Sequence, residues 1–158
     1  MRLITIMVMT FFIGAPAMAT DYTVGSIEII NPWSRATPKG ASTAVGYMTI
    51  KNNGTTADRL ISGSIDVAAD FQLHSMVMVD GIAKMRELTS VEIKPGAIVE
   101  FKPGGSHVMF VNLQHPLSKG DRVQGTLRFE RAGTVPIEYS VEAIGAQNGP
   151  NNMEHPGH

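Results

Sequence analysis

The sequence predicts an all-β domain, a sandwich or barrel with Greek-key connections. Many short runs rich in Val, Ile, Thr, Phe and Tyr are punctuated by Gly, Pro and Asn. Inside these runs the side chains alternate with period two. Val45, Tyr47 and Thr49 oppose Gly46, Met48 and Ile50, and Leu127/Phe129 and Val141/Ala143 show the same period. No segment sustains a helical period, so packed sheets remain as the way to bury the apolar faces.

The first nineteen residues read as an export signal rather than as part of the fold. Arg2 supplies a positive start, Leu3 to Gly14 an apolar run, and Ala17-Met18-Ala19 a small-residue cleavage site. The run is shorter than the ~20 residues a membrane-spanning helix needs. Cleavage after Ala19 is expected, leaving a chain that begins at Thr20, lies outside the cytoplasm and is not inserted in the membrane. An uncleaved membrane anchor is the alternative.

Strands are then expected at Val24–Ile30, Ala44–Asn52, Asp58–Ile65, Phe71–Val79, Ala83–Glu87, Val91–Ile93, Ile98–Phe101, Val108–Leu113, Arg122–Phe129 and Ile137–Ala143. Turns fall at Asn52-Asn53-Gly54, Asp80-Gly81, Lys119-Gly120-Asp121 and Arg131-Ala132-Gly133. No internal repeat or second domain interrupts the series. The expected organisation is a signal peptide at 1–19, one β domain at 20–144 and a tail at 145–158. That tail has almost no apolar content and is expected to be disordered when metal-free.

Composition excludes several functions. Without Arg2 the basic residues number 12 against 14 acidic ones, a net charge of −2. There is no basic stripe and only 6% aromatic content, which argues against nucleic acid as a partner. The chain has no cysteine, so no disulfide braces it and no blue-copper thiolate is available. A His-brace oxygenase would need a histidine at the mature N-terminus, where Thr20 is expected. No Ser/His/Asp or paired-carboxylate pattern is placed for hydrolysis. An enzyme is not expected.

The stretch from His74 to Met109 carries the functional signal. Only six methionines follow the leader, and four of them (Met76, Met78, Met85 and Met109) fall in this window. Core filling would have scattered them. Residues two apart in a strand share a face, so His107 and Met109 project together, as do His74, Met76 and Met78. Asp80-Gly81 suits a type I′ hairpin turn. That turn pairs Val79 with Ile82 and Met76 with Met85, and places His74 diagonally from Met85, within reach of long side chains. Imidazoles and thioethers would thus gather at one end of a hairpin. Thioethers select Cu(I) and imidazole is compatible with it, so the stretch reads as a Cu(I) site. His74, Met85, His107 and Met109 are its candidate ligands, and Met76 could replace or supplement Met85. Trp33, Met48 and His115 read as packing or loop residues.

The spacing His-x10-Met-x21-His-x-Met resembles the motif of the PCuAC family, periplasmic copper chaperones that serve the CuA centre of cytochrome c oxidase. Asn31-Pro-Trp-Ser-Arg-Ala-Thr-Pro38 and Gly46-Tyr-Met-Thr-Ile-Lys-Asn52 are similar to that family's early strands. Lys94-Pro-Gly96, Phe101-Lys-Pro-Gly-Gly105 and Asn112-Leu113 are similar to its later half. The resemblance spans about residues 24–143. It implies a cupredoxin-like sandwich, a periplasmic location, and Cu(I) held by the His and Met of the motif. The expected partner is a copper-accepting respiratory oxidase subunit or another copper carrier, and a monomer is expected. A scavenger that buffers periplasmic copper without a specific acceptor is the alternative. Met153, His155 and His158 in the tail read either as a solvated end or as an auxiliary arm whose harder ligands suit Cu(II).

Overall fold

A computed structural model describes residues 20–150. Among them are eleven strands and no helix: β1 (Tyr22–Val24), β2 (Ile27–Arg35), β3 (Thr43–Asn52), β4 (Asp58–Ile65), β5 (Ala68–Val79), β6 (Ile82–Leu88), β7 (Val91–Ile93), β8 (Ile98–Phe101), β9 (His107–Leu113), β10 (Arg122–Phe129) and β11 (Gly133–Glu142). They follow one path, β6-β5-β9-β3-β2-β11-β10-β4-β7, with β1 added to β2 and β8 to β3. All pairs are antiparallel except β11 with β2. The all-β class expected from the alternating pattern is the class observed.

The path bends back on itself, so that β5 and β9 face β4 and β11 across one core. Phe110 of β9 lies 6.0 Å from Phe71 of β5 and meets Tyr139 of β11 edge-on at 5.2 Å. Leu73, Val108, Leu60, Leu127, Phe129 and Ile137 belong to the same buried cluster. The period-two alternation sorts each strand between this core and the outer face. On β9, Val108 and Phe110 point inward, fully buried, and leave the outer face to His107 and Met109.

The largest departures from the expected boundaries fall at three places. The stretch expected as a strand from Val24 to Ile30 is two strands, because Gly25 (φ +56°) turns the chain and pairs Val24 with Ile27. β2 runs on to Arg35 through a register shift between Ile30 and Trp33, where Asn31 adopts φ +51°. Such a bulge inserts residues into one strand without ending it, which local propensity does not reveal. β11 starts at Gly133 rather than Ile137, since a tight hairpin already pairs Phe129 with Gly133.

Candidate metal centre

β5 and β6 form the expected hairpin. Asp80 (φ +51°) and Gly81 (φ +76°) both take positive φ, as a type I′ turn requires, and Gly81 does so without a Cβ penalty. Val79 pairs with Ile82, Met76 with Met85, and His74 with Glu87. On its other side β5 pairs with β9, and the last residue pair of that ladder is His74 with His107. Beyond it β5 continues with β6 alone, and the hairpin extends past β9.

The two imidazoles therefore face each other across neighbouring strands on the outer face. Their ring centroids are 5.5 Å apart and the planes differ by 18°. Both are buried, at 8% and 6% exposure. His107 donates its Nδ1–H to the Gly105 carbonyl at 3.1 Å, and His74 Nε2 lies 2.9 Å from Gln72 Oε1. Because an amide oxygen only accepts, each of these contacts fixes the ring proton. Among the described residues the remaining nitrogens, His74 Nδ1 and His107 Nε2, are buried and without a partner. An unmet buried polar atom costs about 1–3 kcal/mol. Two such lone pairs on adjacent rings are what a cation-binding site looks like before it is filled.

The surroundings of His74 disfavour its charged form. Burial lowers its pKa from the ordinary 6.5, the neighbouring His107 lowers it further, and Glu87 across the hairpin opposes both. A neutral ring keeps the Nδ1 lone pair available.

Methionines flank the pair along the strands. Met109, half-buried, lies two residues beyond His107 on the same face, with Gln72 of β5 and Val45 of β3 as its register partners. Met76 and Met85 occupy the next row on the other side. Met76 is two residues from His74 on its own strand, and Met85, the direct partner of Met76, lies diagonally from His74 at a typical Cα spacing of about 7–8 Å. By that register both stand on the face of His74 at a spacing long side chains can span. Met85 is 52% exposed, the open member of the set, whereas the histidines are more deeply buried than a site at the sandwich edge would suggest.

Among the described residues no three His, Cys, Asp or Glu side chains gather in a metal-holding arrangement. The donors that do gather are imidazole and thioether. Trp33 is buried and packs on Tyr47 at 4.6 Å. Continuing the β3–β9 register one residue past Gly46 and Val108 brings Tyr47 opposite His107, so Trp33 sits one strand further out as packing. Met48 is core and His115 is exposed after β9, as expected.

The tail departs from expectation in its first part. Arg35 donates Nε–H to the Ala146 carbonyl at 2.7 Å, and Gly149 is buried against Trp33. A Cβ on Gly149 would stand 2.6 Å from Trp33 Cδ1, so residues 145–150 dock because glycine permits the approach. Met153, His155 and His158 lie outside the described residues, as do residues 1–19, where a leader is expected. No described helix is long and apolar enough to cross a membrane.

Sequence reasoning missed Gln72 and the Gly105 carbonyl, the two groups that anchor the rings. The one available signal was the position of Gln72, two residues before His74 and so on the same strand face.

Residues 27–141 match the family described as "Putative lipoprotein LpqE-like". The lipoprotein Lxx21020 of Leifsonia xyli subsp. xyli is 29% identical over 135 residues, covering 85% of this chain and 80% of that protein. Among solved structures, the copper-bound PCuAC domain from PmoF2 is 33% identical, with a TM-score of 0.69 over 78% of this chain and 98% of that domain. The apo form of the PmoF2 domain is 32% identical, with a TM-score of 0.71 over 82% of this chain and 100% of that domain. By sequence and by fold, the chain belongs to the LpqE-like family, of the PCuAC type.

Proposed function

We propose that the chain is an exported Cu(I) carrier that hands its ion to an acceptor protein by ligand exchange. One observation carries the reading: two facing, buried imidazoles, each anchored through one nitrogen with the other unpartnered. His74 and His107 bind as neutral rings, and Met109 and Met85 add thioether donors. Met76 is the second choice for the place of Met85. Such a set is soft and uncharged, suited to Cu(I) and poorly rewarding to harder ions. The relation to a PCuAC domain whose structure is described as copper-bound supports the same cargo.

Copper is cargo here, so no bond of a substrate is made or broken and no catalytic group is required. Release needs access, and the half-exposed Met85 is where an incoming ligand can enter first. The acceptor is a copper centre of a respiratory oxidase, CuA being the type the resemblance implies, or another copper carrier. The chain acts as a monomer in the periplasm after removal of its leader at Ala19. Met153, His155 and His158 form an auxiliary arm that captures Cu(II).

The mature protein truncated after Pro150 should bind one Cu(I) in an anaerobic titration, and equimolar Zn(II) should not displace it. His107→Leu should abolish tight binding while the circular dichroism of the sandwich is retained. Equal competition by zinc, or unfolding of His107→Leu, would overturn the site. In cells, loss of the chain should lower oxidase activity when copper is scarce. Normal oxidase under those conditions, with sensitivity to excess copper as the sole defect, would make the protein a scavenger instead.

A further inference from the structure

The two site histidines are held by different ring atoms and through different kinds of partner. His107 is fixed by a main-chain carbonyl, that of Gly105, which follows from the course of the β8–β9 turn. Among the described residues, His74 is fixed by a side chain alone, Gln72 Oε1, at 2.9 Å from Nε2. Gln72 occupies the same face of β5 as His74 and pairs across the ladder with Met109, so it lies inside the donor cluster.

We propose that Gln72 is the positioning residue of the site, the group that sets the tautomer of His74 and thereby exposes Nδ1 as its donor atom. The proposal rests on the metal reading given above. Accepting the Nε2–H leaves the lone pair on Nδ1, the buried atom without a partner. The opposite amide orientation would donate to Nε2 and force the proton onto Nδ1, closing the donor. The site is then asymmetric, with Nδ1 offered by His74 and Nε2 by His107. The amide also resists rotation of the His74 ring, which saves ordering entropy when the ion arrives.

The consequence can be read with and without metal. Long-range 15N–1H correlation spectra of the apo, full mature chain, recorded well above the ~6.5 of a free imidazole, should show His74 as the Nε2–H tautomer and His107 as Nδ1–H. Gln72→Leu should release His74 to a mixture of tautomers and leave His107 unchanged, which serves as the folding control. Its Cu(I) affinity should fall by about 10–100-fold, the usual effect of removing an outer partner of a ligating histidine. Gln72→Glu keeps an acceptor at the same place and should retain both the tautomer and affinity within a few-fold of the parent. A parent spectrum showing His74 as Nδ1–H overturns the proposal without any variant. So does Gln72→Leu with tautomer and affinity unchanged, or an equal loss of affinity in Gln72→Glu. Should the parent not bind Cu(I), the carrier reading fails while the tautomer measurement still decides the role of Gln72.

Discussion

Acid should strip Cu(I) from the site with a steepness set by the number of imidazole donors. The structure offers two ring lone pairs, His74 Nδ1 and His107 Nε2, and protonation of either nitrogen removes a ligand. Thioether sulfurs do not titrate in water, so methionines contribute nothing to the slope. Each protonating ring lowers the apparent affinity tenfold per pH unit, about 1.36 kcal/mol. Two rings give a limiting slope of two decades, or about 2.7 kcal/mol, per pH unit. Burial and the adjacent His107 hold the pKa of His74 below 6.5 against the smaller pull of Glu87, so its share of the slope develops only below that value. The full slope is therefore reached only below 6.5. Competition with a colorimetric Cu(I) chelator, corrected for the chelator's own protonation and run anaerobically from about pH 7 to about pH 4, measures it. His74→Leu should halve the limiting slope to about one decade. An affinity flat across the range would refute imidazole ligation, and a slope unchanged in His74→Leu would remove His74 from the ligand set.

The same shift predicts an acid-sensitive apo fold. His74 binds its proton less readily folded than unfolded, so below 6.5 the unfolded chain takes up more protons and stability is lost as the pH falls. His74→Leu should flatten that part of the denaturation-midpoint profile, and a variant that tracks the parent would contradict it. Gly46→Ala should destabilise by about 1–3 kcal/mol, the usual cost of overpacking. Its Cβ would stand 2.7 Å from Val108 Cγ2 and 2.9 Å from Phe110 Cζ. Val108 separates His107 from Met109, so Cu(I) affinity should fall with stability, and an unchanged urea midpoint would show that the core yields there.

What the sequence determined by itself was local. A two-residue turn of Asp80 and Gly81 dictates hairpin register, and with it the pairing of Met76 with Met85. Period two placed His107 and Met109 on one face for the same reason of chain geometry. The spacing of the four motif residues supplied the family. Long-range choices belonged to the tertiary structure. No local rule pairs β5 with β9 across the intervening β6 to β8, yet that ladder alone brings His74 against His107. Burial of both rings follows from it, while the Gly105 carbonyl and the Gln72 amide, each two residues from its ring along the chain, decide which nitrogen stays open. The bulge at Asn31 depends in the same way on neighbouring strands, whereas the two-residue turn at Gly25 is a local feature that the expected single strand passed over. The docking of residues 145–150 is the plainest case, since a polar, glycine-containing segment carries no signal of its own until Trp33 and Arg35 stand beside it. Periodicity and turn chemistry act between near neighbours in the chain, whereas the donor geometry of this site is made by strands that meet only once the sheet has closed over its core.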